Sequence, residues 1–274
     1  MNNTKRSGIA FVVITILCFL IPSQASAKSR IVSLLPSLTE LLCELGYSDQ
    51  IVAVTTLCNY PAEIASQARI GAMELDLEKI VGLKPDYIFD LNRAHEKYRT
   101  IFEQFKIKYI DLQLIKIDEI PQAAVLLSST LGNPEKGVKF ADEWKKKISD
   151  LQKVVPSPRK VYVEIWDSPI QAAGGTSFIN DLVKIAGGKN IFEHTESPFP
   201  LVSMEKVITE NPDVIILAYP AQDPLSISSR PGWQNIPAVK SKSIFKVDPD
   251  IFTRPGPRCL KAIEILVKIL DSEK

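Results

Sequence analysis

Histidine is scarce in this chain of 274 residues, which contains only His95 and His194. We place His95 at the start of an exposed, charged helix and His194 in a loop. Neither belongs to a His-Glu-x-x-His motif, and the Gly-x-Ser-x-Gly elbow, the dinucleotide glycine pattern and the Walker loop are all missing. The sequence therefore contains no motif that would indicate a common type of hydrolase or nucleotide-binding protein. We therefore predict no catalytic residue and no resident metal or cofactor.

Neither sign of charge is in excess, because 33 Lys and Arg residues face 32 Asp and Glu residues. Nucleic-acid binding needs a basic surface, so we expect no nucleic-acid partner. Cysteine is also rare, and no Cys-x-x-Cys pair is present to indicate a redox motif or a structural zinc site. Cys43 and Cys58 are compatible with a disulfide, while the alternative is that these two and Cys259 are separate, mostly buried thiols.

Long hydrophobic runs are missing except near the N-terminus, where Ile9 to Ile21 form one apolar stretch. This stretch is too short to cross a bilayer comfortably. Lys5 and Arg6 precede it, and the small residues 25–27 follow it. We predict a cleavable signal peptide over residues 1–27, with an uncleaved N-terminal anchor as the alternative.

A short pattern that is present twice indicates two similar halves. Glu78-Lys79 is followed by an apolar pair, and Pro85-Asp86 begins seven residues after the glutamate. Glu205-Lys206 and Pro212-Asp213 repeat this arrangement 127 residues later. An acidic residue at the same place in each half suggests a partner that is itself two-fold symmetric.

Strand-like and helix-like segments alternate in both halves, which is typical of a mostly parallel sheet covered on both faces. Ser37 and Glu40 predict a capping box at the first helix. Residues 219–233 contain three prolines and are predicted to be a long loop. Gly174-Gly175-Thr176-Ser177 fits either an anion cradle at a helix start or a tight strand-to-helix turn.

A long amphipathic helix is predicted between the halves. Apolar residues from Val138 to Val155 recur at intervals of three and four, and lysines occupy much of the other face. Such a helix would be about 30 Å long. An ordinary helix packed on one sheet is the alternative, but the position midway between the halves favours a stiff connector.

The predicted fold is therefore α/β: two Rossmann-like lobes with mainly parallel sheets, joined by a single long rigid α-helix. The predicted boundaries are residues 28–133 for the first lobe, 134–156 for the connecting helix and 157–274 for the second lobe.

Aromatic and polar residues follow the predicted strands in both halves, where open parallel sheets bind their ligands. Aromatic walls with a few polar groups suit a bulky, partly flat and partly apolar ligand. The predicted ligand-binding residues are Asn59, Tyr60, Met73, Arg93, Trp166, Phe199, Tyr219, Asp250, Phe252 and Arg254.

Several segments together resemble the periplasmic substrate-binding proteins of ABC importers, and more narrowly the class with two lobes joined by one long helix, which binds cobalamin, haem or iron-siderophores. The order of these segments is most similar to that of the cobalamin-binding members. The segments are 30–40, 58–61, 77–86, 186–192, 211–213 and 254–258.

The resemblance implies a periplasmic protein that binds a metal chelate between its lobes and delivers it to a permease dimer at the inner membrane. It implies that Glu78 and Glu205 dock the permease, although both are also suited simply to complement a helix dipole. A cobalt corrinoid is the first choice of ligand, and a ferric siderophore or haem is the alternative; Tyr60 or Tyr219 would be the haem ligand. We expect a monomer. Two alternative functions remain: an exported enzyme that uses Asp167 or Asp250, and a sensory module.

Overall fold

The computed structural model describes residues 28–152, 158–220 and 223–271, and the predicted signal peptide lies outside these ranges. Two five-stranded sheets form the framework, one in each half of the chain. The α/β prediction with two mostly parallel sheets is thus confirmed.

The first sheet is parallel throughout and has the strand order β3-β2-β1-β4-β5. Consecutive strands are added on one side of β1 and then on the other, so the order reverses between β1 and β4. The elements of this half are β1 (Ile31–Ser33), α1 (Pro36–Glu44), β2 (Ile51–Val54), β3 (Ala68–Arg69), α2 (Leu77–Gly82), β4 (Tyr87–Leu91), α3 (Arg99–Gln104), β5 (Lys108–Leu112) and α4 (Glu119–Thr130).

The helix α5 (Pro134–Gln152) connects the two halves. It packs mainly along α4 and also touches two helices of the second half. Gly137 lies so close to α4 that a Cβ atom there would come within 2.6 Å of the Ala124 carbonyl oxygen. The buried Trp144 joins the core, whereas Val138, which the helical pattern assigns to the apolar face, is exposed. The proposed lobe boundaries stay a prediction.

The second sheet has the order β10-β9-β6-β7, with β8 also paired to β6. Only the β6–β7 pair is antiparallel. The elements of this half are β6 (Lys160–Asp167), β7 (Ile170–Ala172), α6 (Phe178–Ile185), β8 (Lys189–Asn190), α7 (Met204–Glu210), β9 (Val214–Leu217), α8 (Pro224–Ser228), α9 (Pro237–Lys240), β10 (Ile244–Lys246), α10 (Pro249–Phe252) and α11 (Cys259–Asp271).

The repeated pattern produces the same local structure in both halves. The carboxylate of Asp86 accepts a hydrogen bond of 2.7 Å from the backbone N–H of Arg30, at the start of the first strand of its half. The carboxylate of Asp213 accepts one of 2.8 Å from the backbone N–H of Lys160, at the equivalent strand. Each aspartate therefore ties its repeat to the central strand of its own sheet.

Two local predictions are wrong. Helix α1 begins with Pro36, so Leu35 occupies its cap position and no side chain caps it; Ser37 lies inside the helix, and Glu40 pairs with Arg258 rather than forming a capping box. The predicted loop after β9 contains α8, whose first turn is capped by Asp223 accepting from the Leu225 N–H. Proline at the first helical position fits this start.

Cys43, Cys58 and Cys259 are free thiols in the structure, so the alternative of separate thiols holds rather than the disulfide. Burial, together with the nearby carboxylate of Glu63, raises the pKa of the Cys43 thiol to about 12. In the part of the chain that the structure describes, no helix combines the length and apolar character needed to cross a membrane.

Candidate functional site

A cavity of about 420 Å³ lies between residues of the two halves. Leu35, Pro36 and Ser37, just after β1, form part of its wall, and Leu91 and Asn92 at the end of β4 form another part. These are the carboxyl ends of the two strands between which the strand order reverses. Open α/β sheets bind ligands at this reversal point, which makes the cavity the best-placed candidate site.

The second half supplies the facing wall through Ser177 and Phe178 at the start of α6, and through Pro198 and Phe199 in the loop after β8. Ser177 accepts a hydrogen bond from the Asn180 N–H and so caps α6. The glycines before Ser177 allow the loop to pass closely, since a Cβ on either would come within 2.0 Å of a loop carbonyl oxygen. Of the two predictions for this segment, the structure supports the strand-to-helix turn.

Three predicted ligand-binding residues meet beside the cavity and join the two halves. Asn59 donates a hydrogen bond of 2.7 Å from Nδ2 to Oδ2 of Asp250. Arg254 donates one of 2.7 Å from Nη1 to Oδ1 of Asn59 and lies 2.6 Å from Oδ1 of Asp250. Of the three, Arg254 lines the cavity itself.

A buried ion pair lies behind this triangle. Glu40 on α1 is almost fully buried, and its two carboxylate oxygens accept hydrogen bonds of 2.8 and 2.5 Å from Arg258. The Nη1 atom of Arg254 is 3.6 Å from the same carboxylate. Hydrogen bonds to Glu40 and charge attraction keep Arg258 protonated despite its burial, and its pKa is raised. This cluster fixes α1 of the first half against residues 250–258 of the second.

Phe199 is the other predicted residue that lines the cavity, and its ring is partly exposed. Trp166 is also exposed, at the end of β6, where its indole N–H donates to the Ser168 carbonyl oxygen at 3.0 Å. Trp166 is not among the residues that line the cavity. The two rings are nevertheless solvent-accessible and free to contact a ligand larger than the cavity.

Met73 and Arg93 lie in loops that follow strands of the first sheet. Met73 is 64% exposed in the loop after β3. Arg93 is exposed next to the cavity-lining Asn92, and its Nη2 atom lies 3.6 Å from the Glu96 carboxylate. Both residues are accessible, and neither lines the cavity.

Tyr60 lies by a different cavity of about 260 Å³, between α1, α5 and α11. The guanidinium of Arg258 stacks 4.5 Å from the centre of its ring. Trp144 of α5 lines this second cavity as well. The structure therefore separates Tyr60 from the residues that line the candidate site.

Tyr219 and Phe252 are buried in hydrophobic cores and are not among the residues that line the cavity, so their role in ligand binding stays a prediction. Burial and the neighbouring Glu164 carboxylate raise the pKa of the Tyr219 phenol, so it stays protonated. Glu164 in turn forms a bidentate ion pair with Arg230, with distances of 2.6 and 2.8 Å.

The prediction that His95 is exposed is wrong, because this side chain is 2% exposed. Its Nδ1 atom lies 3.0 Å from the carboxylate of Asp90, at the end of β4. Tyr109 donates to the other oxygen of that carboxylate at 2.5 Å. The cluster holds the turn after β4 in place, behind the cavity-lining Asn92.

Glu78 and Glu205, the two predicted docking residues, are exposed and occupy equivalent positions in the first turns of α2 and α7. Asp76 caps α2 by accepting from the Lys79 N–H, and Ser203 caps α7 by accepting from the Lys206 N–H. Hydrogen bonds from its own backbone N–H and from the Ser203 hydroxyl lower the pKa of Glu205. The repeat therefore places a surface carboxylate at the same point in each half.

Most of the cavity wall is apolar and was missed by a sequence analysis that searched for aromatic and polar side chains. A signal was nevertheless present for some of them, because Leu35 and Leu114 come shortly after strands and Phe178 begins a helix. The residues missed are Leu35, Pro36, Leu91, Leu114, Ile115, Phe178, Pro198 and Pro255.

Comparison with known proteins assigns this arrangement to a family. The profile described as periplasmic binding protein matches residues 31–251. The chain is 29% identical over 260 residues to the vitamin B12-binding protein of Vibrio vulnificus, covering 91% of this chain and 92% of that protein. It is 27% identical over 249 residues to the uncharacterized ABC transporter substrate-binding lipoprotein YvrC of Bacillus subtilis, covering 87% of this chain and 79% of YvrC.

A solved structure agrees with the sequence relatives. The crystal structure of a possible iron-binding (periplasmic solute-binding) protein from Staphylococcus epidermidis superposes with a TM-score of 0.80 at 28% identity. The match covers 89% of this chain and 98% of that one.

Proposed function

The chain belongs to the periplasmic binding protein family, and we propose that it is the substrate-binding component of an ABC importer. In this role it is an exported protein that carries a small molecule to a permease in the inner membrane. Similarity to an ABC transporter substrate-binding lipoprotein over most of the chain supports the importer role. The signal-peptide pattern of residues 1–27 supports export.

We further propose that the ligand is a metal chelate held in the cavity between the two halves, with a cobalt corrinoid as the first choice. The observation that carries the proposal is the apolar cavity at the reversal point of the first sheet, faced by Phe199 and Arg254 from the second half. A large, partly apolar ring system with polar side groups suits such a wall. Similarity to a vitamin B12-binding protein over 91% of the chain favours a corrinoid.

An iron chelate is the second candidate. It is favoured by the similarity to a possible iron-binding protein, which is nearly as high in sequence identity. A ferric siderophore would use the same apolar wall. Haem is the poorer fit, because Tyr219 is buried in a core and Tyr60 lies by the second cavity, so neither is placed in the candidate site as an axial ligand.

The absorption spectrum of the purified protein, followed by calorimetry with cyanocobalamin, haemin and a ferric siderophore, tests the ligand. A corrinoid-binding protein should titrate with cyanocobalamin at one ligand per chain and show only weak heats with the other two. Saturation by haemin or by the siderophore alone would replace the corrinoid with that chelate. Failure to bind any of the three would overturn the metal-chelate proposal.

Incubation with the bound ligand distinguishes a carrier from an exported enzyme. A carrier should return the ligand chemically unchanged after prolonged incubation, and the amount bound should never exceed the amount of protein. Catalytic turnover, followed by chromatography of the released ligand, would instead establish an enzyme. Family membership favours the carrier, since the family consists of binding proteins.

A further inference from the structure

The cavity offers one ionisable side chain to a ligand. Among its described lining residues, Arg254 is the only one that carries a charge; the others are apolar or carry hydroxyl or amide groups. The side chain of Arg254 is 17% exposed. A carboxylate on a ligand would therefore have this single guanidinium as its charged partner in the wall.

The positive charge of the Arg254 guanidinium is compensated by the carboxylate of Asp250. Its Nη2 atom lies 2.6 Å from Oδ1 of Asp250, a contact that is not part of the cavity wall. Behind it, Arg258 donates to both oxygens of the Glu40 carboxylate at 2.5 and 2.8 Å, and the same carboxylate also lies 3.6 Å from Nη1 of Arg254. The four charges sum to zero, so the wall presents a cation whose charge is compensated.

From this arrangement we infer that Asp250 sets the charge selectivity of the cleft. It turns Arg254 into a hydrogen-bond donor for uncharged acceptors, and it disfavours ligands that place a carboxylate there. The inference rests on the proposed function, because it takes the cavity as the binding site of the chelate.

The physical reason is competition for one guanidinium. A ligand carboxylate that approached Arg254 would lie close to the carboxylate of Asp250, and in a partly dry cavity the repulsion between them is strong. An amide or hydroxyl oxygen accepts a hydrogen bond without that repulsion. Guanidinium has five N–H donors, and the described contacts of Arg254 go through its two terminal nitrogens, so the Nε–H is not among them.

Pairs of ligands that differ only in charge test the inference. One pair is cyanocobalamin and the derivative in which a single side-chain amide is hydrolysed to a carboxylate; the other is haemin dimethyl ester and haemin. The measured quantity is the ratio of the two Kd values within the pair that the protein binds. The wild-type protein should prefer the uncharged member.

The Asp250→Asn variant removes the negative charge and retains an oxygen that can accept from Arg254. It should shift the Kd ratio towards the carboxylate ligand by at least about tenfold, since Arg254 and Arg258 then face Glu40 as the one remaining carboxylate of the cluster, which carries a net positive charge. An unchanged ratio, in a variant that still binds and has the wild-type circular dichroism spectrum, overturns the inference.

A charge-conserving exchange provides the matched control. In the double variant Asn59→Asp with Asp250→Asn, the new carboxylate still accepts from Arg254, the new amide still bridges the two residues, and the cluster keeps its net charge. The preference for the uncharged ligand should return. A double variant that behaves like Asp250→Asn would overturn compensation as the cause.

Arg254→Gln tests the same idea in the opposite direction, and it is informative if Asp250→Asn does not fold. With the cation removed, Asp250 is uncompensated, and binding of the carboxylate ligand should weaken more than binding of its uncharged partner. An equal loss for both overturns the inference. If the wild-type protein binds neither ligand of either pair, the inference is overturned, and the metal-chelate proposal fails with it only if a ferric siderophore does not bind either. Binding with unchanged ratios overturns the inference and leaves the proposed function intact.

Discussion

The Nε2 atom of His95 lies 2.8 Å from the carbonyl oxygen of Ala72. The other ring nitrogen faces the carboxylate of Asp90, so both nitrogens have an acceptor as neighbour. An imidazole can donate from both nitrogens only when it is protonated. The His95 ring thus links the loop that carries Met73 to the end of β4, and its two acceptor neighbours favour the protonated form.

We predict that this link weakens as the pH rises. Burial alone lowers the pKa of His95, but the hydrogen bonds to Asp90 and Ala72 outweigh it, so the pKa is raised above its ordinary value. A raised pKa in the folded state contributes stability that is fully present below the unfolded-state value of about 6.5 and is lost as pH rises through the folded value.

Urea unfolding of the wild type and of His95→Gln between pH 5.5 and 9 measures this effect. At pH 5.5 the variant should be less stable by about 1–3 kcal/mol, because the buried Asp90 carboxylate loses a charged partner. The difference in the free energy of unfolding between the wild type and the variant should become smaller as the pH increases. Glu74 and Lys97 also interact electrostatically with His95, and Tyr109 shares the Asp90 carboxylate with it; the wild type and the variant have all three groups in common. A gap that does not change with pH would refute a protonated His95.

We predict that Gly137→Ala destabilises the protein by about 1–3 kcal/mol, because the added methyl group forces α5 away from α4. The new Cβ would lie 2.6 Å from Val125 Cα. This effect opposes the gain in helix propensity of at most about 1 kcal/mol that alanine brings. Thermal unfolding measures the result.

Gly82→Ala is the matched control. Nothing lies within 4 Å of a Cβ at Gly82, so the same change at the end of α2 should leave stability unchanged or raise it. If Gly137→Ala were as stable as Gly82→Ala, the close approach of α5 to α4 would not be the reason for glycine at position 137.

The two repeats differ at one strained position, which allows a reciprocal exchange. Lys84 follows the C-cap of α2 and Asn211 is the C-cap of α7; both occupy the same place in the repeat and lie in the left-handed region, with φ of 48° and 54°. Asparagine tolerates this conformation better than lysine. Lys84→Asn should stabilise the protein by about 0.5 kcal/mol, and Asn211→Lys should destabilise it by a similar amount. If urea unfolding showed that both substitutions change the free energy of unfolding in the same direction, this explanation would be contradicted.

We predict that Glu78→Ala combined with Glu205→Ala leaves ligand affinity intact but reduces permease binding and ligand uptake. Both carboxylates are exposed and lie away from the cavity. Exposed charge pairs mainly orient and accelerate association, so the loss should appear in the association rate and should shrink at high salt.

The control for docking is the pair Glu103→Ala and Glu264→Ala, which removes two exposed carboxylates on α3 and α11. This variant should bind the permease and support uptake as the wild type does. Wild-type uptake by the Glu78 and Glu205 variant would refute docking and leave these residues as helix-start carboxylates.

The alternation of strands and helices was predictable because each signal is local. Both copies of the repeated pattern form a helix that is followed by a strand, α2 with β4 and α7 with β9. The errors have distant causes. Nothing near Glu40 shows that it pairs with Arg258, 218 residues away, and this partner removes it from the predicted capping box.

The site was only partly predictable for the same reason. Of the predicted ligand-binding residues that follow strands, Phe199 and Arg254 line the cavity, whereas Phe252 and Tyr219 are buried in cores. Burial depends on which helices cover a loop, and this is a property of the whole fold. The apolar wall was missed because an apolar side chain after a strand is equally suited to the core.

The buried ion pairs of Glu40 also constrain when the protein can complete its folding during synthesis. The Glu40 carboxylate lies in the first half of the chain, while the guanidinium groups that compensate it come from Arg254 and Arg258 in the second half. During synthesis this carboxylate therefore stays without its partners until residues 254 and 258 have emerged from the ribosome. A fragment that stops before residue 254 would leave the Glu40 carboxylate without a cationic partner, so the first half is not a self-sufficient folding unit at this edge.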